Sequence, residues 1–273
     1  MRRLPALAAG AAVLLLLPAC SKGDEKVEVA FRPPVGAQYR YEVKVQSVTT
    51  TRLGSDPAER TVDETVLETT ATVLAATPEE VRVRVELRRP GSPDRTFIVL
   101  FDRAAQLSGV ESVEGLPPDI LGESAFPELL PAASAAPPKR PLAIGERWRI
   151  DAQPDFPGSG SARLVGEGRL EKVSEVDGRK VASIKAETSL PLSSTTTLRD
   201  ATLGVVGTET TESTATRVLA DGAVESASTV TKGDFTLTLT PPGTESGPAL
   251  TGTMTIEVRS QTRRLPEGAA DKG

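Results

Sequence analysis

The feature that most constrains this chain is a two-residue alternation of side-chain character. Across Glu80 to Arg89, Val81, Val83, Val85 and Leu87 alternate with Arg82, Arg84, Glu86 and Arg88. Successive side chains of a strand point to opposite faces, so this period puts one face in a core and the other in water. A helix would scatter the same valines around its circumference. The alternation recurs in Gln38 to Ser47 (Tyr39, Tyr41, Val43, Val45), Asp234 to Thr240 (Phe235, Leu237, Leu239) and Gly252 to Gln261 (Met254, Ile256, Val258). Arg60 to Ala76 is a long Thr/Val-rich stretch, and Val165 to Val176, Arg179 to Thr188, Thr208 to Leu219 and Ala223 to Thr231 read as further strands. Phe97 to Phe101 is continuously apolar, which predicts that Arg95 to Asp102 is a strand covered on both faces. Asp177-Gly178 and Asp221-Gly222 each separate two strand-like runs and predict hairpins of type I′. The expected fold is all-β and mainly antiparallel.

The middle of the chain breaks the pattern. Seven prolines lie between Pro117 and Pro141. Proline removes a ladder donor and is excluded from helix interiors, so residues 117–142 read as a connector, with little helix beyond single turns at Asp119 to Ser124 and Glu128 to Ala133. The connector separates an N-terminal β lobe, 30–116, from a C-terminal β lobe, 143–264, and residues 265–273 read as a flexible tail. Val35-Gly36-Ala37-Gln38-Tyr39-Arg40-Tyr41 matches Ile144-Gly145-Glu146-Arg147-Trp148-Arg149-Ile150 in its aliphatic, Gly, aromatic, Arg and apolar positions. Two readings follow: an internal repeat of two related lobes, or a turn glycine before an aromatic as a common way to start a strand. The architecture is therefore a curved sheet or two β lobes.

Composition narrows the chemistry. The chain has no His and one Cys, which excludes Ser-His-Asp and Cys-His catalysis, most zinc sites and any internal disulfide. Its formal charge is −5, opposite to the basic face that a nucleic-acid binder needs. Asp102, after Leu100-Phe101, is a site residue at a strand end or, on turn statistics, a turn initiator. Asp151 and Asp155, beside Gly158-Ser159-Gly160, are candidate calcium ligands but lack the alternating oxygens of a calcium loop. The threonines at Thr195 to Thr197 and Thr208 to Thr216 suit the watered face of a sheet. Trp148 and Tyr41 are cleft-lining candidates or core anchors of their lobes. No catalytic residue, metal or cofactor is expected. The apolar strand faces suffice to close one core, so a mostly filled interior is expected.

The N-terminus carries the most specific signal. Arg2 and Arg3 precede an apolar run of twelve residues, Ala6 to Leu17, the pattern of a secretory signal and too short for a transmembrane helix. It ends in Leu17-Pro18-Ala19-Cys20, and Cys20 is the lone cysteine. Leu-x-Ala-Cys resembles the bacterial lipobox. The resemblance implies that Leu17 and Ala19 are read by the signal peptidase, that residues 1–19 are removed, and that Cys20 carries lipid, including palmitate-type acyl chains. Residues 20–29 are then the lipidated cysteine and its tether. Ser21 favours the outer membrane over the inner, since Asp at that position retains lipoproteins in the best-studied sorting systems.

With a Gly-x-x-Tyr/Trp strand start in each half, the connector ending at Leu142-Ala143-Ile144-Gly145-Glu146-Arg147-Trp148 and the Thr-rich terminal half, residues 30–264 resemble a family of bacterial β-rich lipoproteins described as a domain of unknown function. A more distant, architectural likeness is to the lipoprotein-carrier class, whose curved antiparallel sheet surrounds an apolar cavity. The expectation is a periplasmic, membrane-anchored, non-enzymatic binding or scaffold protein. The alternative is a carrier that holds a lipid or other apolar ligand in the concave face.

Overall fold

The computed structural model describes residues 26–91, 93–105, 107–114, 137–152, 163–198, 201–240 and 249–266. Regular structure among them is strand: β1 (Lys26–Val27), β2 (Gln38–Leu53), β3 (Glu59–Ala76), β4 (Glu80–Arg88), β5 (Arg95–Asp102), β6 (Leu107–Glu114), β7 (Leu142–Ala143), β8 (Arg147–Ala152), β9 (Leu164–Val176), β10 (Arg179–Leu198), β11 (Ala201–Val218), β12 (Val224–Thr240) and β13 (Leu250–Arg264). Eleven form one antiparallel sheet in the order β6-β5-β4-β3-β2-β13-β12-β11-β10-β9-β8, and β1 pairs with β7 apart from it. The fold is all-β and antiparallel, as the alternation requires. The sheet is open, since β6 and β8 do not pair with each other. Its two halves meet at β2 and β13, in register from Leu53↔Gly252 to Tyr41↔Arg264, so β2–β6 and β8–β13 build one sheet.

Several strands outrun their sequence signal. β2 continues to Leu53 and β10 to Leu198, through Thr49 to Thr51 and Ser193 to Thr197. Those tracts are polar on both faces, so they show no alternation although Thr49 to Thr51 pair with β13 and β3 and Ser193 to Thr197 with β11. β12 is one strand, where the sequence suggests two broken at Lys232-Gly233. A Cβ on Gly233 would lie 2.4 Å from the Phe235 ring, so the glycine is there to let that ring lie down, not to turn the chain. Asp177 and Gly178 both have positive φ, 49° and 73°, as type I′ requires. The Asp221-Gly222 expectation needs correction: only Gly222 is left-handed, with φ 74°. Gly222 N–H bonds Val218 O at 2.7 Å, and Asp221 accepts the Ala223 N–H at 2.9 Å, so the loop is longer and its Asp acts through its side chain.

One face of the sheet is buried from β8 across to β5. Val43, Leu67, Val83, Phe97 and Val99 form its core on one side, and Trp148, Ile150, Leu170 and Ile184 on the other. The segment 28–37 crosses this face as a strap. Phe31 N–H bonds Arg103 O and Arg32 N–H bonds Asp221 O, each at 2.7 Å. Arg103 follows β5, and Asp221 lies between β11 and β12. Five strand steps separate β5 from β12, about 24 Å in a flat sheet. Two consecutive residues bridge that interval, so the sheet curls around the strap and its buried face is concave.

The two matched sequence segments adopt the same structure. Ala37 N–H bonds Pro34 O at 3.1 Å with Gly36 at φ 84°, and Glu146 N–H bonds Ala143 O at 3.0 Å with Gly145 at φ 88°. Both are type II turns, which need a left-handed third residue. Gly36 N–H bonds Val73 O, whose own N–H bonds Ala37 O. Gly145 N–H bonds Leu170 O, whose own N–H bonds Glu146 O. Three strands later, Asp102 accepts Ala104 N–H and Asp221 accepts Ala223 N–H, both at 2.9 Å. Read from the β8 edge, the sheet is a five-strand meander β8–β12, then β13, then a second five-strand meander β2–β6 in the same orientation.

Candidate functional site: the concave face

Cross-strand partners share a face, so the registers map the concavity row by row across β10, β11, β12, β13 and β2. Beneath the strap the row is Ile184, Ala215, Ala227, Thr262, Val43. The next is Ala186, Ser213, Thr229, Ser260, Val45, followed by Thr188, Thr211, Thr231, Val258, Ser47. Then come Leu190, Glu209, Gly233, Ile256, Thr49 and Leu192, Gly207, Phe235, Met254, Thr51. The face therefore runs from aliphatic, through a band of hydroxyls, to an aliphatic and glycine-rich end.

The strap end is filled. Val29 and Leu142 pack on Trp148, Leu170 and Ile184, and Phe31 meets Phe101 edge-on at 5.7 Å between centroids. A polar knot sits among them. Tyr39 Oη donates to Asp221 Oδ2 at 2.9 Å, and the Arg264 guanidinium lies 4.9 Å from the Tyr39 ring centroid. Arg217, buried, donates to Gly222 O at 3.3 Å. Burial pushes the Arg217 guanidinium down to about 10 against the pull of Tyr41 and Asp102. Burial, then the Asp221 carboxylate, raises the Tyr39 hydroxyl far above the ordinary tyrosine range, and burial does the same for Tyr41. Both phenols stay protonated at neutral pH, and that of Tyr39 acts as the donor that pins the Asp221 turn to β2.

The hydroxyl band is buried as well. Ser213, Thr229, Thr231, Ser260 and Thr262 are each less than 10% exposed. Thr211 and Thr231 share a 2.9 Å hydrogen bond. Ser260 Oγ and Thr262 Oγ1 are buried with no hydrogen-bond partner among the described residues. A buried hydroxyl without a partner costs about 1–3 kcal/mol, so this band is suited to a polar group or water on the concave side. Beyond it, Leu190, Leu192, Leu203, Leu239, Met254 and Ile256 are only half-buried, and Leu250 is 42% exposed. The expected filled interior is thus found at the strap end, while the aliphatic rows at the other end are less covered by the described residues.

Two aromatics lie flat on glycines of this face. A Cβ on Gly168 would come within 2.2–2.4 Å of the Trp148 ring, and one on Gly207 within 2.5 Å of Phe235. Trp148 and Tyr41 belong to the packed strap end, which is the core-anchor reading of the two. Asp102 caps its own turn and lies 3.7 Å from Lys139 Nζ. Asp151 pairs with Arg163 and, at 3.3 Å, with Arg149; the Arg163 hydrogen bond holds its carboxyl below the ordinary range. Asp155 and Gly158 to Gly160 lie outside the described residues, as do Leu17, Ala19 and Cys20. Among the described residues no group of three or more acidic or thiol side chains is arranged to hold a metal. Exposed Thr195, Thr196 and Thr197 end β10, while Thr208, Thr210 and Thr214 face outward from β11. The knot of Tyr39, Asp221 and Arg217 carries no sequence signature; Arg217 stands out only as a charge at an inward position of β11.

No protein-family model matches the chain, and no curated protein matches it. Among solved structures it is similar to OmpTdeltaL8, a loop L8 deletion mutant of OmpT, an outer membrane protein of Vibrio cholerae. The identity is 7%, the match covers 85% of this chain and 100% of that chain, and the TM-score is 0.22, too low to carry fold or function across.

Proposed function

We propose that this chain is a lipoprotein of the bacterial cell envelope, of the β-rich family resembled above, lipidated on Cys20 after cleavage behind Ala19. It acts without catalysis, as a binding or scaffold protein whose working surface is the concave face. The periplasmic side of the outer membrane is the favoured location. The observation that carries the reading is the position of the lone cysteine: it stands three residues past the end of a twelve-residue apolar run, behind Pro18-Ala19, and β1 begins six residues later. Two or three acyl chains at about 0.8 kcal/mol per buried CH₂ anchor a protein stably without a basic patch. A non-catalytic role is supported by the absence of His from the sequence and by the employment of Asp102, Asp151 and Asp221 in turns and ion pairs. Cys20→Ser is expected to abolish acylation and move the protein from membrane to soluble fractions. Continued sedimentation of that variant with salt-washed membranes would refute the lipid anchor.

A second reading, a carrier of a lipid or other apolar ligand, is favoured by one observation: the half-buried aliphatic rows beyond the hydroxyl band. An amphipathic molecule would set its polar end at Ser260 and Thr262 and its chain along Leu192, Leu239 and Met254. The unlipidated chain would then show saturable binding of a fluorescent fatty acid, weakened by Leu239→Asp with an unchanged circular dichroism spectrum. A scaffold shows no saturable binding in either form.

A further inference from the structure

We infer that the strap end of the sheet docks on the bilayer, inserting the side chains of Val35 and Ile144 at the tips of the two type II turns. This rests on the Cys20 anchor proposed above. Val35 is 63% exposed and Ile144 51%. Single exposed aliphatics are ordinary on a protein surface. These two differ in occupying the same position of two equivalent turns, immediately before the left-handed Gly36 and Gly145. Six antiparallel steps separate β2 from β8, so both strands start at the same end of the sheet, and both tips point off that end. Val62, Val66 and Val206 are also exposed, but lie within strands on the convex face.

The anchor selects this end. Lys26 pairs with Ala143 and Val27 with Leu142, antiparallel, so the chain leading back to Cys20 leaves β1 on the Ile144 side. Six residues span at most about 22 Å when fully extended. A lipid on Cys20 therefore holds Ile144 within that reach of the headgroups, and the strap, tied to both halves of the sheet, brings Val35 to the same level. Exposed Lys26 lies beside the Ile144 turn, suited to a lipid phosphate, and exposed Lys139 and Arg140 lie near it, paired with Asp102 and Glu146. Apolar side chains at such a surface settle about 5–10 Å into the headgroup and acyl boundary. The filled end of the concavity then faces the membrane, and the half-buried aliphatic rows open away from it.

The native cysteine is consumed by lipid, so an introduced thiol is unique. Full-length lipidated protein carrying Val35→Cys, Ile144→Cys or Ser55→Cys, the last in the β2–β3 turn at the opposite end, is labelled with an environment-sensitive fluorophore. Each is reconstituted in phosphatidylethanolamine and phosphatidylglycerol vesicles and floated before measurement. The expected result is a blue-shifted emission quenched by headgroup-nitroxide lipid at positions 35 and 144, and neither effect at 55. Protein that floats with unquenched labels at 35 and 144, or with quenching at 55 instead, overturns the docking while leaving the anchor intact. Protein that fails to float overturns the anchor itself.

Discussion

Gly168 shows how a missing side chain shapes the concave face. Trp148 and Gly168 are cross-strand partners, and the indole occupies the space a Cβ would need. A flat aromatic on a glycine buries its ring at little height above the sheet. The same device recurs where Phe235 covers Gly207 and Gly233. Gly168→Ala forces the indole off its seat, an overpacking change of about 1–3 kcal/mol. Since Trp148 is the only tryptophan, its emission reports the event directly. The variant should unfold at lower denaturant and show red-shifted native emission. An unchanged midpoint with unchanged emission would mean the ring has another place to lie.

At the scale of elements, the turns do more than reverse the chain. The β7–β8 turn is held by Glu146, whose Oε2 accepts the Ala143 N–H at 2.9 Å and whose Oε1 meets Arg140 at 2.5 Å. The Ala143 hydrogen bond, then the one from Arg140, keeps the Glu146 carboxyl below its ordinary 4.5. A depressed folded value means that this clamp contributes its stability above the unfolded value and loses it as pH falls through the folded one. The Ala143 amide should thus lose hydrogen-exchange protection below about pH 4.5, and Glu146→Gln should make its protection independent of pH in that range. Equal pH dependence in both proteins would place the clamp elsewhere. The same turn also shows what a sequence exposes. Val-Gly and Ile-Gly before an aromatic are visible as a motif, and Val81 to Leu87 are visible as a strand, because both are local. The ends of β2 and β10 are not, because Thr49 to Thr51 and Ser193 to Thr197 have no apolar period and are held by pairing alone. The concave site is hidden for a related reason: Tyr39 meets Asp221 only once β13 has paired with both β2 and β12, and no local pattern encodes that contact.

Across the whole molecule, the pairing of β2 with β13 decides how the protein unfolds. A Pro-rich connector between two similar halves suggests two bodies, yet the pairing between β2 and β13 runs from Tyr41↔Arg264 to Leu53↔Gly252. The strap adds a second tie, since Phe31 and Arg32 bond the β5–β6 and β11–β12 turns together. Neither half can lose its edge at this seam without exposing the concave core of the other, in which Val43 and Val45 stand opposite Thr262 and Ser260. Unfolding is therefore expected to be a single transition. The chain supplies its own probes: Trp148 lies in the β8–β12 meander, and both tyrosines, Tyr39 and Tyr41, lie in the β2–β6 meander. Trp148 emission and tyrosine near-ultraviolet circular dichroism should trace coincident denaturation curves, the test of a two-state change. Separated midpoints would show that the seam yields first and that the halves melt as independent units, which would make the shared sheet a weak joint between two domains and remove the basis for a concave surface built from both.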